Sequence, residues 1–248
     1  MHLGPLRQPA RALAFAALTA GSLALLRTRE ALSPTQPKPT VLARHKRRYF
    51  GAMLRLFGAD LEVLHGPPPP SARGRLIVSN HRSALDIGVL MWLFDAQVLS
   101  RGDLADWPLV GRAARRVGTL FVDRGDLGSR AVALRSMRRV LEGGGSLIVF
   151  AEGTTFGGDE VRPFHLGAFA ATRGLDVEVV PVGLAYERGA EDLTADFGAH
   201  LRDLAARPTT RVVVSVGAPM SPQRDPRKTA AQVREAVARL VVEARAAV

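Results

Sequence analysis

The chain has 248 residues, 47% of them apolar, enough for one sizeable core and a short appendage. It contains no cysteine, which excludes disulfides, cysteine-ligated metal sites and any cysteine-thioester mechanism. Residues 1–50 hold nine basic side chains against the single acid Glu30, so they carry +8 of the net +11; a basic tail on a near-neutral body argues against nucleic acid as partner and for anionic lipid.

Residues 12–26 carry no charge and are bracketed by Arg7 and Arg11 on one side and Arg27 and Arg29 on the other. As a helix they would span about 22 Å, short of the roughly 30 Å hydrocarbon core. A membrane-embedded or shallow anchor, a signal peptide and a buried or disordered segment all fit; arginines at both ends and no small-residue cleavage site favour a retained anchor. Residues 33–39 (SPTQPKP) read as a breaker. Residues 41–64 predict a helix in which His45, Lys46, Arg47 and Arg48 adjoin an apolar face of Tyr49, Phe50, Met53, Leu54 and Phe57. That pattern suits an interfacial helix, and equally a core-packing helix with a solvated basic end.

Gly66 and the four prolines after it cannot continue a helix. The chain therefore divides into a basic, membrane-associating helical segment (1–65) and an α/β domain (66–248). Within the latter, strands are predicted at 75–79, 97–100, 119–123, 146–150, 177–182 and 211–217. Helices are predicted at 84–94, 127–142, 166–173, 192–206 and 229–247. Several strands are apolar at successive positions, as expected when both sheet faces are covered, so the alternation predicts a mostly parallel central sheet flanked by helices.

Three polar motifs fall at the carboxyl ends of predicted strands, where open α/β folds place ligands. The first is Asn80-His81-Arg82-Ser83-Ala84-Leu85-Asp86. A helix starting near Ser83 sets Asp86 one turn on, close enough to hold one imidazole nitrogen of His81 while the other takes a hydroxyl proton. Ser83 competes as a helix N-cap. The second, Glu152-Gly153-Thr154-Thr155, combines glycine and small hydroxyls that let amides approach an oxyanion; Glu152 could orient the acceptor or hold its own loop. The third ends in Asp123-Arg124, where a guanidinium suits a bidentate grip on phosphate.

Together these residues resemble the glycerolipid acyltransferase family, which includes bacterial 1-acyl-glycerol-3-phosphate acyltransferases. The block N-H-x-S-x-x-D is matched by Asn80, His81, Ser83 and Asp86, and the apolar strand ending in arginine by Phe121 to Arg124. The block [FV]-x-E-G-T is matched by Phe150, Glu152, Gly153 and Thr154, and the final V-P-V by Val180-Pro181-Val182. The resemblance implies direct transfer of a fatty acyl group from acyl-CoA or acyl-carrier protein to a lysophospholipid hydroxyl, most naturally 1-acyl-glycerol-3-phosphate, giving phosphatidic acid. His81, held by Asp86, would be the general base; Arg124, Glu152, Gly153 and Thr154 would bind the acceptor, with no metal and no cofactor beyond the acyl donor. Where many members have lysine–x–glutamate–leucine, this chain has Arg101-Gly102-Asp103-Leu104, so Arg101 would supply the charge with a different geometry. Residues 157–162 are reminiscent of members acting on other lysolipids such as lyso-ornithine lipid; the same fold can also serve as an inactive lipid-binding protein. Together with the basic tail, the resemblance points to a membrane-associated enzyme at the cytoplasmic face of a bacterial cell membrane.

Overall fold

The computed structural model describes residues 4–32, 38–191 and 197–248. It opens with α1 (Gly4–Leu32) and α2 (Lys38–Leu56), so the breaker at 33–37 lies outside the described residues. A seven-stranded sheet follows: β1 (Ala59–Leu64), β2 (Gly74–Ser79), β3 (Gln97–Arg101), β4 (Leu120–Val122), β5 (Ser146–Phe150), β6 (Val177–Tyr186) and β7 (Thr210–Val216). Its order is β1-β7-β6-β2-β5-β3-β4, every pair parallel except β6 with β7. The helices around it are α3 (Leu85–Leu93), α4 (Val110–Arg116), α5 (Leu127–Glu142), α6 (Gly167–Ala171), α7 (Phe197–Ala206) and α8 (Pro226–Ala246), with a 3-10 turn at Gly102–Asp106. The predicted mostly parallel, helix-flanked sheet is thus observed; residues 192–196 of the predicted helix 192–206 lie outside the described part.

Both faces of the sheet are buried. Ile77, Val180, Val182 and Val214 pack with α3 on one side, while Leu76, Val149 and Val179 pack with Met137 of α5 and Val233 and Val237 of α8 on the other. This is why the strands read as continuous apolar runs. Aspartates start the two long helices of the domain: Asp126 accepts from Ser129 N at 2.5 Å for α5, and Asp225 from Arg227 N at 2.9 Å for α8, where Pro226 takes a first-turn position.

One expectation fails. The helix predicted over 41–64 ends at Leu56, and Ala59–Leu64 form an edge strand paired with β7. Gly58 makes the switch at φ +71°, and a Cβ there would meet Pro208 O at 2.3 Å. Period-2 alternation was present in Asp60 and Glu62, both of which pair with Arg211 of β7.

The uncharged stretch 12–26 is part of a single 29-residue helix, about 43 Å long rather than 22 Å. Leu6–Leu32 is long and apolar enough to cross a membrane by length and composition. Leu6, Leu13, Leu25 and Leu32 face outward, whereas Leu26, Phe15 and Leu18 turn inward together with the polar Thr19. Thr19 hydrogen-bonds the Tyr49 hydroxyl at 2.8 Å and Ser22 the His45 ring at 2.7 Å, both on α2. Arg7 donates to Ala206 O at 2.9 Å and Arg11 to Ala205 O at 3.4 Å, so α1 satisfies carbonyls at the carboxyl end of α7.

Candidate active site

Strand β2 ends at Ser79, and the buried Asn80 locks the next turn. Its side-chain amide donates to Leu184 O at 2.9 Å and its oxygen accepts from Leu184 N at 2.8 Å, tying the loop to β6. His81 follows, its Nδ1 2.7 Å from Asp86 Oδ2. Asp86 is fully buried in the first turn of α3, where the helix dipole favours negative charge. Its Oδ2 also accepts from the amides of Arg82 (2.6 Å) and Ser83 (2.9 Å), and its Oδ1 accepts from the Tyr186 hydroxyl at 2.5 Å. A carboxylate so surrounded only accepts, so His81 Nδ1 is the donor of this pair and Nε2 is the ring nitrogen it leaves free. The imidazole stacks on Phe150, centroids 4.1 Å apart, which holds its plane. Nε2 faces a cavity of about 490 Å³ lined by Arg101, Leu104, Trp107, Arg124, Gly153 and Thr154 among others.

The expected N-cap role of Ser83 is not its main one. Ser83 Oγ lies 2.9 Å from His200 Nε2 and accepts from Leu85 N at 3.3 Å, while the amides before α3 are satisfied by Asp86. For Glu152, the second of its two expected roles matches the geometry. Both carboxylate oxygens are occupied by the protein: Oε2 by His81 N and Arg82 Nη1, each at 2.8 Å, and Oε1 by Arg162 N at 2.9 Å. Glu152 therefore sits beneath the cavity and ties the His81 turn to the loop at 152–162. Pro181 lies inside β6, opposite Val78, where the strand begins its pairing with β7 and away from the cavity.

Gly153 adopts φ +91° and its carbonyl accepts the Arg124 guanidinium. A Cβ at this position would come within 2.5 Å of Arg124 Nη1 and 2.7 Å of the His165 ring. Gly153→Ala is therefore expected to cost ~1–3 kcal/mol of backbone strain and to displace Arg124, lowering the midpoint of denaturant melts. Among the described residues no carboxylate pairs with Arg124; burial, and then the charge of Arg101, pushes its pKa below the usual guanidinium value. Arg101 is exposed and forked onto Asp103 at 2.8 and 3.0 Å.

Two residues of the site were missed in the motif reading. Arg82, 1% exposed, donates to His81 O (2.9 Å), Gly158 O and Glu160 O (2.6 Å each) besides Glu152. Its signal was available: a charged residue inside a motif whose neighbours are buried needs a buried counter-charge. Tyr186 had no signal, since it lies 100 residues from Asp86 and outside every motif. Burial and then the adjacent Asp86 charge push its phenol far above the ordinary range, so it remains a donor. Tyr186→Phe is expected to leave Asp86 Oδ1 without that donor, costing about 1–3 kcal/mol in denaturant melts and lowering kcat with little change in KM.

A family model described as "Acyltransferase" matches residues 64–185. The lyso-ornithine lipid O-acyltransferase of Pseudomonas aeruginosa is 33% identical over 193 residues, covering 77% of this chain and 73% of that protein. A 1-acyl-sn-glycerol-3-phosphate acyltransferase of Neisseria gonorrhoeae is 26% identical over 137 residues, covering 53% and 54%. The crystal structure of the 1-acyl-sn-glycerophosphate acyltransferase PlsC from Thermotoga maritima has the same fold, with a TM-score of 0.68 over 95% of this chain and 98% of that one at 20% identity.

Proposed function

The chain belongs to the acyltransferase family, and we propose that it moves a fatty acyl group from a thioester to the free hydroxyl of a lysolipid, with His81 as general base. The observation that carries this reading is the His81–Asp86 pair, whose free Nε2 opens on a cavity that continues into an apolar one. That second cavity, about 360 Å³, is walled by Phe15, Phe50, Met53 and Phe57 and shares Ile87, Leu104 and Trp107 with the first, which suits a hydrocarbon chain. Nε2 takes the acceptor's hydroxyl proton as its oxygen attacks the thioester carbonyl. The carbon–sulfur bond then breaks and the leaving thiolate takes the proton back from the imidazolium, so no covalent enzyme intermediate is required. Acyl-CoA or acyl-carrier protein supplies the thioester.

For the acceptor, lyso-ornithine lipid is the preferred reading. It is supported by the Pseudomonas aeruginosa relative and by the Arg101–Asp103 pair, which sets both charges at the cavity rim to meet an amino-acid head group. Lysophosphatidate is the second reading, favoured by Arg124 with Arg101 near enough to perturb it. Purified protein is assayed with each acceptor against acyl-CoA and acyl-carrier protein. At least tenfold higher kcat/KM with lyso-ornithine lipid is expected; the reverse order assigns the head group to phosphate, and no transfer to either overturns the lysolipid reading.

The length and apolar composition of α1 support attachment to a membrane, and we propose the cytoplasmic face, where an acyl-CoA or acyl-carrier protein donor would be met. Leu13→Lys is expected to shift protein from the membrane pellet to the supernatant without altering its melting, because Leu13 is 74% exposed and supports no core.

A further inference from the structure

A third cavity, about 510 Å³, opens between α5 and α6 on the other face of the sheet. Adjacent residues of β3 show the division: Val98 lines the apolar cavity beneath α3, and Leu99 lines this cleft. Its walls are Leu134, Met137, Val149 and Ala168, and its mouth carries Arg124, Arg130 and His165. Among the described residues no carboxylate pairs with Arg124 or Arg130. Arg124 and Phe150 line both this cleft and the His81 cavity. At the outer end, Leu127 is 73% exposed and Leu166 40% exposed. Leu127, Arg130, Ala131 and Leu134 share one face of α5 by their three- and four-residue spacing.

The reaction proposed above needs places for two chains, the one transferred and the one the acceptor already carries. The cavity beneath α3 has an almost wholly apolar lining, Arg202 being its one charged residue, which matches a chain that enters with no charge close behind its carbonyl. The α5–α6 cleft instead joins an apolar trough to an imidazole and two guanidiniums that no described carboxylate neutralises, the complement of a single-chain lipid with an anionic head. We infer that this cleft receives the acceptor's existing acyl chain, with Arg124, Arg130 and His165 meeting its anionic group and Leu127 and Leu166 forming the entry from the bilayer. The assignment rests on the lysolipid reading and adds which cavity serves which substrate.

Two measurements on the full chain test it. The first uses a lysophosphatidate and a lyso-ornithine lipid, each bearing a diazirine in the acyl chain, photolysed with the protein and mapped by mass spectrometry. Adducts are expected on residues 127–138 and 165–170; adducts confined to α1, α2, α3 and α4 overturn the assignment. The second uses Ala131→Phe and Ala170→Phe, which narrow the cleft away from the His81 turn. The KM for a long-chain acceptor is expected to rise at least tenfold, with the donor KM, and turnover of a short-chain acceptor of the same head group, unchanged. An unchanged acceptor KM, or a rise in donor KM instead, overturns it. The crosslinks require no turnover, so they decide the location of the chain even if neither lysolipid proves to be acylated.

Discussion

His81→Ala is expected to lower kcat for acyl transfer by about 10²–10⁴-fold while leaving the thermal melt close to that of the parent chain. The ring is partly exposed, stacked on Phe150 and bonded to Asp86, which keeps its two amide donors and the Tyr186 hydroxyl, so its removal opens the cavity without collapsing it. Asp86→Asn should be as damaging to kcat and more damaging to the fold. The site surrounding Asp86 consists of donors: two backbone amides, the Tyr186 hydroxyl and His81 Nδ1. A carboxamide offers one acceptor atom and adds two donor hydrogens, so at least one buried donor loses its partner. The double variant should be scarcely worse than either single one, because the two residues act as a unit. Near-normal turnover in His81→Ala would remove the general-base assignment outright.

The second large effect concerns stability. Arg82→Met is expected to destabilise the protein by about 3–5 kcal/mol, because it leaves the buried Glu152 carboxylate without its cation and the carbonyls of Gly158 and Glu160 without their donor. For a chain of this size that corresponds to a fall of roughly 10 °C in melting temperature. Arg82→Lys should recover only part of the loss, since one ammonium cannot reach the fork of Glu152 and the carbonyls of Gly158 and Glu160 together. Pairing Arg82→Met with Glu152→Gln should be less destabilising than the sum of the single changes, as the uncompensated charge is removed. Additive losses in urea titrations would show that the pair is not the junction holding the His81 turn to the 152–162 loop. Activity in these variants is expected to follow stability, which separates Arg82 from His81.

Much of this protein was legible in its residues. The apolar runs of β2, β5 and β6 announced strands covered on both faces, because a buried parallel strand leaves no polar side for alternation to reveal. The order and spacing of His81, Asp86, Arg124 and Glu152-Gly153-Thr154 brought these motifs to one cavity, because each follows a strand directly and chain connectivity alone carries it to the sheet's carboxyl edge. The uncharged stretch near the start of the chain was recognisable by composition as a long apolar helix.

What the tertiary structure decided were matters of pairing between distant segments. Residues 59–64 became a strand because β7, nearly 150 residues later, supplies Arg211 and the ladder they join; alone, they extended a plausible helix. That Glu152 binds its own loop followed from Arg82, whose buried guanidinium holds both carboxylate oxygens. The outward turn of α1 followed from Thr19, Ser22, Arg7 and Arg11 finding partners on α2 and α7, which a periodicity of apolar residues does not encode. Tyr186 joined the site for the same reason. Local sequence determines which residues can act and near which strand end, but a hydrogen bond across 100 residues exists only once the sheet has brought β6 beside β2.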